Sequence, residues 1–194
     1  MSFLRSFIYP SYTEPVWRPM LSQADFRIPK IWHSWLADTG SLTDRLLKLS
    51  HGDLRVQIIN QGLQQPRLSE RQQLGLDNRI SALVREVILF GLGQPWVFAR
   101  SIVPLNTMTG RLRKLRQLDS RPLGALLFND PTMTREAVQV ADFQASKIVN
   151  QDKIIANINP LWGRRSVFRL DKKPLLVSEI FLQPFTLHYQ QTHC

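Results

Sequence analysis

Cysteine occurs only once, as Cys194, the last of 194 residues. A disulfide framework and a cysteine-built metal cluster are therefore excluded, and a reducing compartment is expected. No apolar run approaches the ~20 residues that cross a bilayer, so stable membrane insertion is not expected. The opening stretch MSFLRSFIYPSYTEPVW lacks a long apolar core and a small-residue cleavage site. No secretory signal is expected from it, and a cytoplasmic protein is. Internal repeats and low-complexity tracts are missing. So are a phosphate-binding P-loop, a Gly-x-Ser-x-Gly elbow and a His-Glu-x-x-His pair. Gly91-x-Gly93 lacks the third glycine of a dinucleotide loop, and a strand pattern follows it where a helix is needed. Among the four histidines, His188 and His193 lie near Cys194 without a fourth ligand, so no metal is expected.

What is present in excess is positive charge: 25 Lys and Arg against 15 Asp and Glu, a formal +10. Such a balance points either to nucleic acid or to a small anionic ligand. The densest basic group, Arg111, Arg113, Lys114, Arg116 and Arg121, has no interleaved aromatics and makes a poor stacking platform. It reads as a solvated loop or helix, and no nucleic-acid partner is expected.

Hydrophobic content of 43% and charged content of 21% suit one globular domain. Residues 1–30 read as an irregular arm, 31–184 as the domain and 185–194 as a peripheral tail. Ile31–Ala37 reads as a short helix with Trp32, Trp35 and Leu36 inward. Ser41 caps a second helix that carries Leu42, Leu46 and Leu49. Leu54, Val56 and Ile58 alternate as a strand, and Gly62–Asn78 reads as a long loop or flap. Ile80–Phe90 and Trp96–Val103 form a hairpin, and Ser120–Phe128 a short helix opened by Pro122. Arg135–Ala145 reads as a strand that turns irregular, and Lys147–Pro160 as an insert. Arg164–Leu170 and Leu175–Leu182 make a last hairpin across Asp171-Lys-Lys-Pro174. The sum is an α+β fold, one domain on a mostly antiparallel sheet.

Two charges break these patterns. Leu175, Val177, Glu179 and Phe181 share one strand face, and so do Leu83, Arg85, Val87 and Leu89. A carboxylate or a guanidinium on an apolar face is costly unless it is paired or hydrogen-bonded. Glu179 and Arg85 therefore form a buried structural pair, face water from edge strands, or meet across a ligand cavity.

Four ordered segments resemble the chorismate pyruvate-lyase family, which makes 4-hydroxybenzoate for ubiquinone synthesis. They are Arg85-Glu-Val-Ile-Leu with Gln94-Pro-Trp-Val-Phe-Ala-Arg-Ser-Ile-Val-Pro104; Arg121-Pro-Leu-Gly-Ala-Leu-Leu-Phe128; Leu161-Trp-Gly-Arg-Arg-Ser166; and Lys173-Pro-Leu-Leu-Val-Ser-Glu-Ile-Phe-Leu182. The resemblance runs from about Trp32 to Pro184. It implies an antiparallel sheet whose helical flaps enclose an internal ligand cavity, with no cofactor and no metal. It implies that Arg85 and the backbone amides of Leu42 and Leu123 hold a ring carboxylate, while Glu179 contacts the hydroxyl end. Leu42 and Leu123 each open a predicted helix, where amides lack intrahelical acceptors and the dipole favours an anion. Position 42 is leucine where a family member carries methionine, a mild exchange if the backbone makes the contact. Arg100, one strand over from Arg85, is the candidate for the enolpyruvyl carboxylate. The implied partners are chorismate and 4-hydroxybenzoate, handled by a monomer. The alternative is a non-catalytic aromatic-acid sensor, because ligand-binding domains of some transcription regulators share this fold. Only about 30 unpatterned residues precede the resemblance, too few for a helix-turn-helix domain.

Overall fold

In the computed structural model, which describes residues 14–20, 27–118, 121–143, 148–150, 153–155 and 161–193, tight hairpins form the centre of an eight-stranded antiparallel sheet. The strands are β1 (Arg18–Pro19), β2 (Leu54–Gln64), β3 (Ala82–Gly91), β4 (Gln94–Pro104), β5 (Thr134–Arg135), β6 (Gln139–Phe143), β7 (Ile148–Asn150), β8 (Lys153–Ile155), β9 (Leu161–Leu170) and β10 (Lys173–Phe181). Their order across the sheet is β1-β6-β9-β10-β4-β3-β2, with β5 also pairing β9, and β7 and β8 making a separate ladder. Leu92–Gly93 joins β3 to β4 and Asp171–Lys172 joins β9 to β10, all four residues with positive φ. Two-residue turns of that hand match the twist of the strands they connect.

The helices are α1 (Lys30–Leu36), α2 (Leu42–Leu49), α3 (Leu68–Leu74), a 3₁₀ helix (Gly110–Gln117), α4 (Leu123–Phe128) and α5 (Gln183–His193). Ser41 caps α2 as its sequence indicates, its Oγ accepting the Asp44 amide at 3.2 Å. The Gly62–Asn78 stretch is not the expected loop. β2 runs on to Gln64, and α3 follows, opened by Glu70 accepting the Arg67 amide at 2.8 Å and closed by Gly75 in a left-handed conformation.

Opposite partners in a sheet share a face, so the register divides the side chains into two sets. The front face carries two apolar clusters. One gathers Trp32, Trp35, Leu46, Trp96, Phe181 and Phe185 under α1, α2 and α5. The other gathers Leu112, Leu115, Leu123, Leu127, Phe168 and Leu175 under the 3₁₀ helix and α4. The back face holds Val84, Ile102, Val167 and Leu176, with Leu74 of α3 against them. Each fully buried side chain of this kind contributes about 1.5–3 kcal/mol.

Two terminal expectations change. Pro19 and Arg18 pair with β6, so part of the N-terminal arm is a sheet edge. Phe185 is fully buried, 4.8 Å from the Trp35 ring, so the chain after Pro184 closes the core and is not a peripheral tail. The physical reason is the aromatic spacing of α5: Phe185 and Tyr189 are one turn apart and both meet Trp35. Residues 1–13, Ser120 and most of the 147–160 insert lie outside the described residues.

Candidate active site

Between the two front-face clusters runs a band of polar and small side chains. Arg85, Ser101, Val177 and Ser166 are successive partners in one row across β3, β4, β10 and β9. Val87, Ala99, Glu179 and Arg164 form the adjacent row. The rows beyond hold Leu83, Val103, Leu175 and Phe168 on one side and Leu89, Val97, Phe181 and Trp162 on the other. The floor of the band is thus Ser101, Ala99 and Val177, flanked by much larger residues.

Arg85 and Glu179 both rise from this face, on β3 and β10 with β4 between them. Two strand spacings and one row put their Cα atoms about 12 Å apart. The expectation that they face each other from opposite walls is corrected: they share one floor, because both obey the same strand parity. They are not an ion pair. Arg85 is 3% exposed; its Nε donates to Gln61 Oε1 at 3.1 Å and its Nη2 to the Arg121 carbonyl at 3.1 Å. Burial holds its pKa below the ordinary arginine value, though it stays charged at neutral pH. Glu179 is half-buried, and its Oε2 accepts from Arg164 Nε at 2.7 Å.

Leu42 and Leu123 are the first residues of α2 and α4, and both are buried. The two helix starts touch: a Cβ at Gly124 would fall 2.9 Å from Thr43 Oγ1. Arg85 is tied to the Arg121 carbonyl, two residues before Leu123. The guanidinium and both helix starts therefore come together at one end of the band.

The sequence reading missed Arg164 and Arg135. Arg164 is 1% exposed; besides Glu179 it bonds the carbonyls of Trp35 at 2.7 Å and Asp38 at 2.6 Å. It thereby caps the C-terminal end of α1 and fixes the acid. Arg135 donates from Nε to Ser166 Oγ at 3.0 Å and from Nη1 to the Asp38 carbonyl at 3.2 Å. Its pKa is lowered by burial and by the Arg164 charge, against the opposing pull of Glu179 and Asp38. Strand parity offered a signal for Arg164, which alternates with Trp162 and Ser166. Nothing in the sequence aimed Arg135 at Ser166 and the Asp38 carbonyl.

Asp38 lies in the α1–α2 connector that roofs this end. Burial alone would raise its pKa, but the Gly40 amide, Arg164 and Arg45 together hold it below the ordinary carboxylate value.

Arg100 is a correction. It is one strand from Arg85, but its Cα partners are Glu86 and Ser178, which point to the back face. There it bonds Glu70 of α3 at 2.7 and 3.0 Å and Glu86 at 2.7 Å. It clamps α3 to the sheet, on the opposite side from Arg85 and Glu179. His188, weighed as a metal ligand, stacks on Trp96 at 5.1 Å; Cys194 lies outside the described residues.

An open antiparallel sheet under short helices places the chain in the α+β class that includes the effector domains of bacterial regulators. The C-terminal domain of the histidine utilization repressor from Pseudomonas syringae superposes with a TM-score of 0.51 at 12% identity, over 68% of this chain and 92% of that one. PhnF from Mycobacterium smegmatis gives 0.51 at 15%, over 76% of this chain and 65% of that one. At such identities the likeness shows the fold alone. Sequence is more specific. The chain belongs to the chorismate lyase family, whose model matches residues 14–192. Proteins named "Probable chorismate pyruvate-lyase" are similar to it: 33% identity in Photobacterium profundum, over 92% of this chain and 97% of that protein. The protein of that name in Psychromonas ingrahamii is 41% identical, over 76% of this chain and 80% of its own. Among the described residues, no helix is long and apolar enough to cross a membrane.

Proposed function

We propose that this chain eliminates pyruvate from chorismate and leaves 4-hydroxybenzoate. The observation that carries the reading is the shared band: Arg85 and Glu179 rise from one face, about two strand spacings apart, over a floor of small residues. Family membership supplies the substrate class.

Chorismate has a ring carboxylate, an enolpyruvyl ether at C3 and a hydroxyl at C4. Loss of the C4 hydrogen and cleavage of the C3–O bond aromatise the ring. The departing enolpyruvate takes a proton at its methylene carbon and becomes pyruvate. Aromatisation drives the reaction, which leaves the protein chiefly positioning and electrostatics.

Arg85 would take the ring carboxylate in a bidentate contact, helped by the first-turn amides of Leu42 and Leu123. Glu179, fixed by Arg164, would accept the C4 hydroxyl's hydrogen bond at the far end. A carboxylate already bonded to a guanidinium suits a fixed acceptor better than a mobile base. That favours direct passage of the C4 hydrogen to the enolpyruvyl methylene. We take the active unit to be a cytoplasmic monomer that needs neither metal nor organic cofactor.

The test is to incubate purified protein with chorismate and follow 4-hydroxybenzoate and pyruvate. Equal amounts of both, formed catalytically, support the reading. Tight binding without turnover would instead make the chain a sensor of the kind its fold relatives exemplify.

A further inference from the structure

We infer that the Ser101 hydroxyl donates a hydrogen bond to the enolpyruvyl ether oxygen of chorismate, the oxygen that leaves C3; this rests on the reading above. In that reading the Arg85 fork and the amides of Leu42 and Leu123 fill the roughly four lone-pair sites of the ring carboxylate. Glu179 takes the C4 hydroxyl. The leaving oxygen has no donor assigned to it, and the floor of the band supplies one.

Among the described residues five hydroxyl side chains are buried: Ser50, Ser101, Thr107, Ser166 and Ser178. Ser50 and Thr107 donate to the Leu47 and Pro174 carbonyls, and Ser166 accepts from Arg135. Ser101 is 4% exposed, and its hydroxyl has no hydrogen-bond partner among the described residues; nor has that of Ser178. A buried hydroxyl left so is unfavourable, and a ligand that pairs with it gives it a reason to be there. Strand parity separates the two serines. Ser178 is the Cα partner of Arg100 and points to the back face, while Ser101 is the Cα partner of Arg85 and Val177 and points into the band.

Ser101 stands beside the path of the ring. Arg85 is opposite Ser101, and Glu179 is opposite Ala99. The diagonal from Arg85 to Glu179 therefore crosses β4 between Ser101 and Ala99, each about 3 Å to one side of it. A ring along that diagonal, with its carboxylate at Arg85 and its C4 hydroxyl at Glu179, carries the C3 oxygen on one flank. On the Ala99 flank that oxygen meets a methyl group. On the Ser101 flank it meets a donor. Val177, the third residue of the floor, has none to offer.

The contact strengthens as the reaction proceeds. The C3–O bond gives its electron pair to oxygen, the C4–H pair becomes the new ring double bond, and the enolpyruvyl methylene takes the hydrogen. The oxygen ends as the keto oxygen of pyruvate, and negative charge builds on it along the way. A hydroxyl fixed in the floor stabilises that charge without moving, and Ser101 keeps its own proton. An interaction stronger in the transition state than in the ground state raises kcat more than it lowers KM. 4-Hydroxybenzoate has no such oxygen and makes no use of the contact.

The experiment sets Ser101→Ala, Ser101→Thr and Ser178→Ala beside the parent in chorismate kinetics, calorimetry with 4-hydroxybenzoate and thermal unfolding. Ser101→Ala is expected to lower kcat by about 10- to 100-fold, the worth of a donor to a developing charge. KM and 4-hydroxybenzoate affinity should stay within about threefold of the parent. The ligand-free Tm should equal or exceed the parent's, because the hydroxyl removed has no partner in the fold. Ser101→Thr keeps the hydroxyl and should recover most of the lost kcat. Ser178→Ala makes the same deletion on the back face and should turn over chorismate as the parent does. Parent-like kcat in Ser101→Ala would overturn the inference and leave the lyase reading intact. So would a loss in Ser101→Thr as deep as in Ser101→Ala, or a parallel fall of kcat, product affinity and Tm, the mark of a structural role. A parent that binds chorismate and releases no pyruvate would sink the lyase reading, and the role of Ser101 with it.

Discussion

Arg164 Nε lies 2.7 Å from Glu179 Oε2, in a pair whose arginine is 1% exposed and whose acid is partly open. The same guanidinium bonds two carbonyls at the end of α1. Glu179, the proposed substrate contact, is thus held by a residue that also holds the roof.

Glu179→Gln keeps the shape and removes the charge. It is expected to lower kcat by about 100-fold, the scale seen when one preorganised polar contact is lost. Steady-state kinetics with chorismate checks this. Turnover near the parent value would remove Glu179 from the reaction.

Arg164→Gln takes away one partner of a buried pair and two carbonyl caps. Such a loss costs about 3–5 kcal/mol. For a chain of this size it should lower Tm by roughly 6–20 °C, since each kcal/mol is worth about 2–4 °C. Thermal unfolding followed by circular dichroism reads it, and a fall in kcat/KM should accompany it because Glu179 loses its brace.

Arg100→Leu separates stability from chemistry. Glu70 and Glu86 would be left without their guanidinium, again about 3–5 kcal/mol. Chorismate kcat/KM at 15 °C, where the variant is folded, should stay within about twofold of the parent. Loss of chorismate binding at that temperature would return Arg100 to the site.

Acid should loosen the latch between the 3₁₀ helix and the sheet. Arg111 bonds Asp130, Asp171 and Thr132, and these contacts hold the Asp130 carboxyl well below the ordinary carboxylate range. A depressed folded pKa means the unfolded chain binds the proton more readily. The contribution is therefore complete above the unfolded value and fades as pH falls below it. Tm should drop between about pH 5 and pH 2, and Asp130→Asn should flatten that slope while lowering Tm at pH 7. A parallel slope in the variant would contradict the assignment.

Much of this architecture was legible in the chain. Alternation placed β3, β4, β9 and β10, and Ser41 with Asp44 marked the start of α2. Alternation also put Arg85 and Glu179 on their apolar faces. It could not orient one strand against another, so it could not say that both faces are one face. Arg100 shows the cost: adjacency of strands was readable, but the one-residue parity that sends it to Glu70 and Glu86 depends on register. Helix α3 was hidden by its polar composition, since only Leu74 joins an apolar cluster and its buried residue is a charged one, Glu70. Arg135 was out of reach because β5 is two residues long and its side chain is aimed by pairing with distant β9.

The position of 4-hydroxybenzoate in a crystal of the complex tests the central claim most directly. The account predicts its carboxylate against the Arg85 guanidinium and its hydroxyl within hydrogen-bond distance of Glu179. A molecule bound with those ends reversed, or bound away from this face of the sheet, would contradict it.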